Sequence, residues 1–209
     1  MISAAEMVSE LRMVAPDMPD AMAESLVMDT VIDFTKRTSL LKAWVPIDLQ
    51  ACVSDYFVDL PDCFEINMFH RLCPDGQCAC GSTSSVLVRH LPCALRCGTR
   101  LVRFASPNTI QVAPEPSTDE KEAFWVEVSA TPKRDTCLVP MWLYERHREE
   151  IVNGAIWRAL RMPNVKWHSM ASAREYGTLY NAGVATATLE RLLNRTTGQI
   201  KMRPKGGLV

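Results

Sequence analysis

The residues best equipped for chemistry are eight cysteines and four histidines in a chain of 209 residues. Five of the cysteines crowd together as Cys73, Cys78, Cys80, Cys93 and Cys97, spaced C-x4-C-x-C and then C-x3-C, with His70 and His90 close by. A structural zinc needs four soft ligands converging in a tetrahedron, usually delivered by paired C-x2-C knuckles. Neither spacing is such a knuckle, so the five are weak metal candidates. Buried free thiols acting as small apolar fillers are the leading reading. A disulfide in a finished extracellular particle ranks with the metal, since the cytosol would keep the thiols reduced during assembly. No cofactor is expected.

Nucleophilic and acid–base chemistry leave less trace. There is no G-x-S-x-G, no H-E-x-x-H and no glycine-rich phosphate loop. His147, in YERHREE, falls on a repeating apolar face, where a core or interface histidine is expected and not a catalytic one. Asp59 and Asp62 flank Pro61, the composition of a turn. Glu149 and Glu150 read as a solvated helix face. The chain is therefore expected not to be an enzyme. Its tryptophans, Trp44, Trp125, Trp142, Trp157 and Trp167, are scattered and not interleaved with bases, which suits packing and not base stacking.

The elements that hold these residues fall into three stretches. Ala5, Met7, Val8 and Leu11 lie on one side of a short helix that Pro16 and Pro19 end. A second helix, capped by Asp20, carries the apolar face Ala23, Leu26, Val27, Val31 and Phe34, with an Asp33–Arg37 pair on the opposite side. From Trp44 to about Ala130, short apolar runs alternate with prolines and glycines, which predicts antiparallel strands and turns. The best candidates are Ser54–Leu60, Ser85–Arg89, Arg100–Ala105, Thr109–Val112 and Phe124–Ser129. Helix returns after Pro140, where Leu143, His147, Ile151 and Ala155 recur every fourth residue. A last helix spans about Met170 to Arg195, with Leu179, Ala182, Thr186, Leu189 and Leu193 in a heptad-like seam. Gly183 and Ala187 beside that seam leave room for a close neighbour, so these seven residues are the expected subunit interface.

The predicted fold is α+β. A helical bundle (1–43 and 138–197) carries an inserted antiparallel β-domain (44–137) and ends in an extended tail (198–209). Apolar residues make up 47% and charged residues 22%, a globular balance. No run approaches a membrane span, and Glu6 and Glu10 stand where a signal peptide would be cationic, so a soluble chain made in the cytoplasm is expected. Net charge is only −1 but unevenly spread. Residues 1–35 hold seven acids and one base, whereas 131–209 hold thirteen bases and six acids. An acidic front and a basic end suggest head-to-tail docking or an acidic partner, and charge alone fits a frayed, solvated terminus equally well.

Two stretches carry a resemblance. LVMDTVIDFTKRTSLLKAWVPIDLQACVSDYFVDLP joins an amphipathic helix and a basic turn to a Trp, an "ID" strand and a "DLP" turn. WLYERHREEIVNGAIWRALRMPNVKWHSMASAREYGTLYNAGVATA carries an "I-x-x-GA" helix, "MP", a Trp, and a glycine-bearing final helix. Both resemble the head-to-tail adaptor (connector) proteins of tailed phages, a family similar to the tail tubular protein A of short-tailed phages. The cysteine-rich middle does not match that pattern.

The resemblance implies a structural virion protein at the head–tail junction, assembled in the host cytoplasm as a homododecameric ring. It implies the portal protein and tail, nozzle or fibre proteins as partners, with genomic DNA passing through the channel unread and no membrane involved. It also implies that the C-terminal tail docks on the portal. The tail's bases Arg195, Lys201, Arg203 and Lys205 would contribute charge there, and Ile200, Met202, Leu208 and Val209 apolar anchors. The competing expectation is a zinc- or thiol-dependent enzyme, or a metal-stapled nucleic-acid module, centred on Cys73–Cys97.

Overall fold

In the computed structural model, the residues described are 1–74, 86–87, 95–97, 100–106, 108–136 and 138–193. The helices are α1 (Ala5–Val14), α2 (Asp20–Thr38), α3 (Met141–Leu160) and α4 (Met170–Leu192). The strands are β1 (Ile2–Ser3), β2 (Lys42–Leu49), β3 (Asp55–Phe57), β4 (Phe64–Pro74) and β5 (Val86–Leu87). They continue as β6 (Leu95–Cys97), β7 (Arg100–Ser106), β8 (Thr109–Ala113), β9 (Glu120–Pro132) and β10 (Leu138–Val139). The fold class is α+β. Two compact units divide it, one from Met1–Leu40 with the described chain after Thr131, the other centred on Leu41–Ala130.

The helical unit follows its apolar spacing closely. Pro16 and Pro19 separate α1 from α2, and Pro19 itself, extended, occupies the cap position. Asp20 is therefore the first helical residue and not the expected cap; it pairs with Arg12 of α1. Along α2 the expected face is buried, joined by Thr30, Thr35 and Thr38. Each of these hydroxyls donates to the carbonyl four residues back, at 2.7–2.8 Å, so burial leaves none unsatisfied. α2 ends at Ser39 in the left-handed conformation (φ 50°), a position that glycine usually fills. α3 starts after Pro140, and α4 is capped by Ser169, whose hydroxyl accepts from the Ser172 N–H at 3.3 Å.

The second unit is a β-sandwich. One sheet has the order β2-β9-β4-β5 and the other β3-β8-β7-β6; β2 with β9, β4 with β5, and the neighbours within the second sheet are antiparallel. Val45, Ile47, Phe124, Val126 and Val128 of the first sheet meet Tyr56, Val102, Ile110 and Val112 of the second in a single core. Phe69 and Phe104 stack between them with ring centroids 4.3 Å apart.

The unit boundaries lie a few residues earlier than expected. Lys42 and Ala43 already pair with Ser129 and Val128, so β2 begins before Trp44. At the other end, Arg134 bonds Asp29 of α2 and β10 pairs with β1, which ties this return segment to the helices. Of the two long strands, β2 contains the "ID" strand that the resemblance implies, whereas β4 is not among the expected ones. The run Ser54–Leu60 shortens to β3. The extended tail, with Arg195, Ile200, Lys201, Met202, Arg203, Lys205, Leu208 and Val209, lies outside the described residues.

Candidate interaction surface

α4 is apolar along two separate lines. Ala173, Gly177, Tyr180, Val184 and Ala187, spaced four, three, four and three, are buried. They pack on α3 and α2, where α3 turns its own glycine inward. A Cβ at Gly154 would lie 2.5 Å from Thr30 Cγ2 and 2.7 Å from Tyr180 Cδ2, so only glycine lets the three helices meet there. Gly177 likewise makes room for the Trp157 indole, whose Nε1 would be 2.9 Å from an added Cβ.

A polar cluster fixes the rotation of α4 about its axis. The Tyr180 hydroxyl donates to Asp33 Oδ2 at 2.6 Å. Arg158 Nη2 lies 3.3 Å from the same oxygen, and its Nη1 donates to Thr30 Oγ1 at 2.9 Å. Arg37 Nη2 donates to Asn181 Oδ1 at 2.9 Å. The Arg37 and Arg158 guanidinium groups stand 5.5 and 5.8 Å from the Tyr180 ring centroid. Burial, then the hydrogen bond to Asp33 and its charge, push the Tyr180 phenol well above its ordinary range. It stays a donor at any physiological pH. Asp33 is thus more than the partner of an exposed i,i+4 pair; it joins α2, α3 and α4.

The other line of α4 faces outward. Leu179, Leu189 and Leu193 are 54%, 59% and 61% exposed, and Ala182 and Thr186 lie exposed between them. Leu192 adds a further exposed leucine at 50%. From Tyr176 to Leu189 fourteen consecutive residues carry no charge. Leu179 and Leu189 lie in that stretch, and with Leu192 and Leu193 beyond Glu190 and Arg191 they make an exposed apolar line of about four turns, unusual for a helix that meets only water. Two members of the expected interface do not belong to it. Ala187 is fully buried, and an added Cβ at Gly183 would run into the Glu150 side chain of α3. Both serve the inner contact.

His147 is a core histidine. It is 3% exposed, sits at a break in α3 (φ −125°, ψ 26°), and its ring lies 5.2 Å from that of Phe34. Among the described residues neither ring nitrogen has a hydrogen-bond partner, and Glu150 Oε2 is 3.9 Å from Nδ1. Burial lowers its pKa, against the opposing pull of the Glu190 charge. Such an imidazole packs as part of the helical core, and its burial favours the neutral form.

The cysteine cluster is only partly described. Cys73 is buried at the end of β4 and engaged in a disulfide, which removes it from the zinc candidates, because a ligand must be a thiolate. Cys52 and Cys63 are free thiols. The side chains of Cys78, Cys80, Cys93 and Cys97 lie outside the described residues, as does His90. Among the described residues no group of three His, Cys, Asp or Glu is placed to hold a metal ion. Asp59 and Asp62 are exposed on either side of Pro61. Trp142, Trp157 and Trp167 pack partly buried against the helical core, as expected of packing residues. No described helix is long and apolar enough to cross a membrane.

No protein-family model matches this chain, and no curated protein matches it.

Proposed function

We propose that the chain is a structural subunit of a tailed-phage head-to-tail adaptor, a homododecameric ring that joins the portal to the tail and surrounds the path of the ejected DNA. The observation that carries this reading is the outward leucine face of α4: a helix locked in rotation by Asp33 and Tyr180 presents uncharged surface that needs a protein neighbour. The order of parts supports it too, with two helices, an inserted β-unit, two long helices and a basic end. In this reading the ring forms at the head–tail junction of the virion after synthesis in the host cytoplasm. The basic C-terminal residues reach the portal, and the β-unit meets tail or nozzle proteins. No chemical turnover is involved.

The test is attachment. Purified chain mixed with DNA-filled, portal-capped heads should bind them and close the channel, as counted by negative-stain imaging and by retention of packaged DNA. Heads that neither bind the chain nor gain DNA retention would sink the reading. Truncation after residue 197 should abolish attachment and leave the melting temperature unchanged; attachment of the truncated chain would remove the tail from the portal contact.

A further inference from the structure

The second sheet of the sandwich ends on β3, and among the described residues β8 is its one neighbour. The Val58 N–H donates to the Asn108 carbonyl and the Val112 N–H to that of Ser54, both at 2.8 Å, with Tyr56 opposite Ile110 between them. In an antiparallel pair bonded positions alternate with unbonded ones, so the N–H and C=O groups of Asp55 and Phe57 point away from β8. The side chains alternate in step. Tyr56 and Val58 are buried in the sandwich core, whereas Asp55, Phe57 and Asp59 are exposed, Phe57 by 77%. A phenylalanine so open, on a margin of unbonded backbone groups, is what edge strands normally avoid. Charge marks what could cover it. Between Lys42 and Arg71 the sequence has five acids and no base. Asp55, Asp59 and Asp62 are exposed and hold no ion pair among the described residues; the Asp55 carboxylate accepts from the Ser54 hydroxyl at 3.0 Å. Arg103 shares a row with Gln111 and Asp55 but stands two strands in.

We propose that β3 is a strand-addition site that takes an extended, basic segment of another protein. The incoming strand bonds to the outward N–H and C=O groups of Asp55 and Phe57. Its residues facing Asp55, Phe57 and Asp59 are a base, an apolar residue and a base, since cross-strand neighbours on one face pair by charge and by apolar contact. A second copy of this chain does not fit. Two β3 strands paired antiparallel about Phe57 would set Asp55 of each against Asp59 of the other, and like charges directly opposite repel. The site stands on β3 itself; only the source of the strand, a tail or nozzle protein, rests on the adaptor reading.

The probe is a synthetic, end-blocked peptide, Lys-Val-Leu-Val-Lys, carrying a fluorophore and titrated into the full chain by anisotropy. Two companions are run beside it: one with every peptide nitrogen methylated, which keeps the charges and removes the donors, and one with glutamate in place of lysine. The lysine peptide should bind at least about tenfold more tightly than either, and amide hydrogen exchange at Asp55 and Phe57 should slow when it does. Phe57→Ala and Asp55→Lys should each weaken it by about tenfold, with the melting temperature unchanged because both residues are exposed. Equal binding of the methylated peptide would reduce the contact to charge alone and overturn the proposal. So would wild-type affinity in both variants, or no binding at millimolar peptide. Binding seen only in a chain cut after residue 197 would overturn it in favour of the chain's own end, and slowed exchange at Asp55 and Phe57 with rising protein concentration alone would favour a second copy. Attachment to portal-capped heads is scored separately. A chain that takes the peptide but ignores heads would defeat the adaptor reading and leave this site standing, and a chain that joins heads but refuses the peptide would do the reverse.

Discussion

The two faces of α4 have similar spacing and different chemistry. The inner one, Ala173, Gly177, Tyr180, Val184 and Ala187, is small apart from a single tyrosine, and that tyrosine is hydrogen-bonded. The outer one is built on leucines with exposed, unsatisfied surface. Small residues let helix axes approach closely within a chain, whereas leucines project a ridge that a separate body can grip. The inner face therefore sets the stability of the unit, and the outer face leaves that stability untouched.

Removing Tyr180 should break this contrast most severely. Tyr180→Ala opens a cavity between three helices and strips Asp33 of its donor, at a cost of about 4 kcal/mol read from the shift in urea midpoint. A loss under about 1 kcal/mol would mean that α4 is held elsewhere. Next comes Gly154→Val, where the added atoms collide with Thr30 and Tyr180; about 3 kcal/mol of destabilisation is expected in the same assay. Ala187→Leu overfills the buried line and should cost about 2 kcal/mol, seen as a lower melting temperature of the monomer. An unchanged melting point would return Ala187 to the outer face.

A gentler probe uses pH. Burial lowers the His147 pKa, so the unfolded chain binds this proton more readily than the folded one. The contribution to stability is complete above the ordinary value of 6.5 and is lost as pH falls below it, with a slope of at most about 1.4 kcal/mol per unit. Glu150, whose pKa burial raises, works in the opposite sense: its contribution fades as pH climbs past 4.5. Comparing wild type with His147→Leu isolates the histidine, and the variant should lack the acid-side fall in melting temperature. Smallest of all, Leu179→Ser and Leu189→Ser should change monomer stability by no more than about 0.5 kcal/mol in urea titrations. A cost near that of Ala187→Leu would erase the distinction between the faces.

Much of this arrangement was legible in the residues. Proline positions and four-residue repeats located all four helices, because helix ends and apolar faces are local properties. The strand β2 comes from the resemblance, through its "ID", and not from the pattern of apolar runs, although Ala43, Val45, Ile47 and Leu49 alternate cleanly with polar or half-buried residues. Pro46 argues against a strand, but β2 lies at the edge of its sheet, where a missing N–H is tolerated. β4 hides for another reason: its buried residues Phe64, Phe69, Leu72 and Cys73 follow no simple period. On α4 both apolar lines are visible in the sequence at once. Only the bulk of Tyr180 against Gly154, and the reach of Asp33 across two helices, decide which line turns inward and draw Gly183 and Ala187 with it. Such pairings join residues nearly 150 positions apart, which no local pattern encodes.

Pro46 has a bearing beyond its own strand. In the proposed assembly, copies set side by side would also multiply the local concentration of sheet margins, and an open strand margin recruits others without discrimination. The outer strand β2 carries an imino acid at Pro46, so the backbone has no N–H to offer there. Lys42, at the start of the same strand, keeps its ammonium 3.2 Å from Glu127 and puts charge beside that margin. That margin is thereby a poorer template for a neighbour's backbone, the kind of pairing that turns many β-rich surfaces into fibrils.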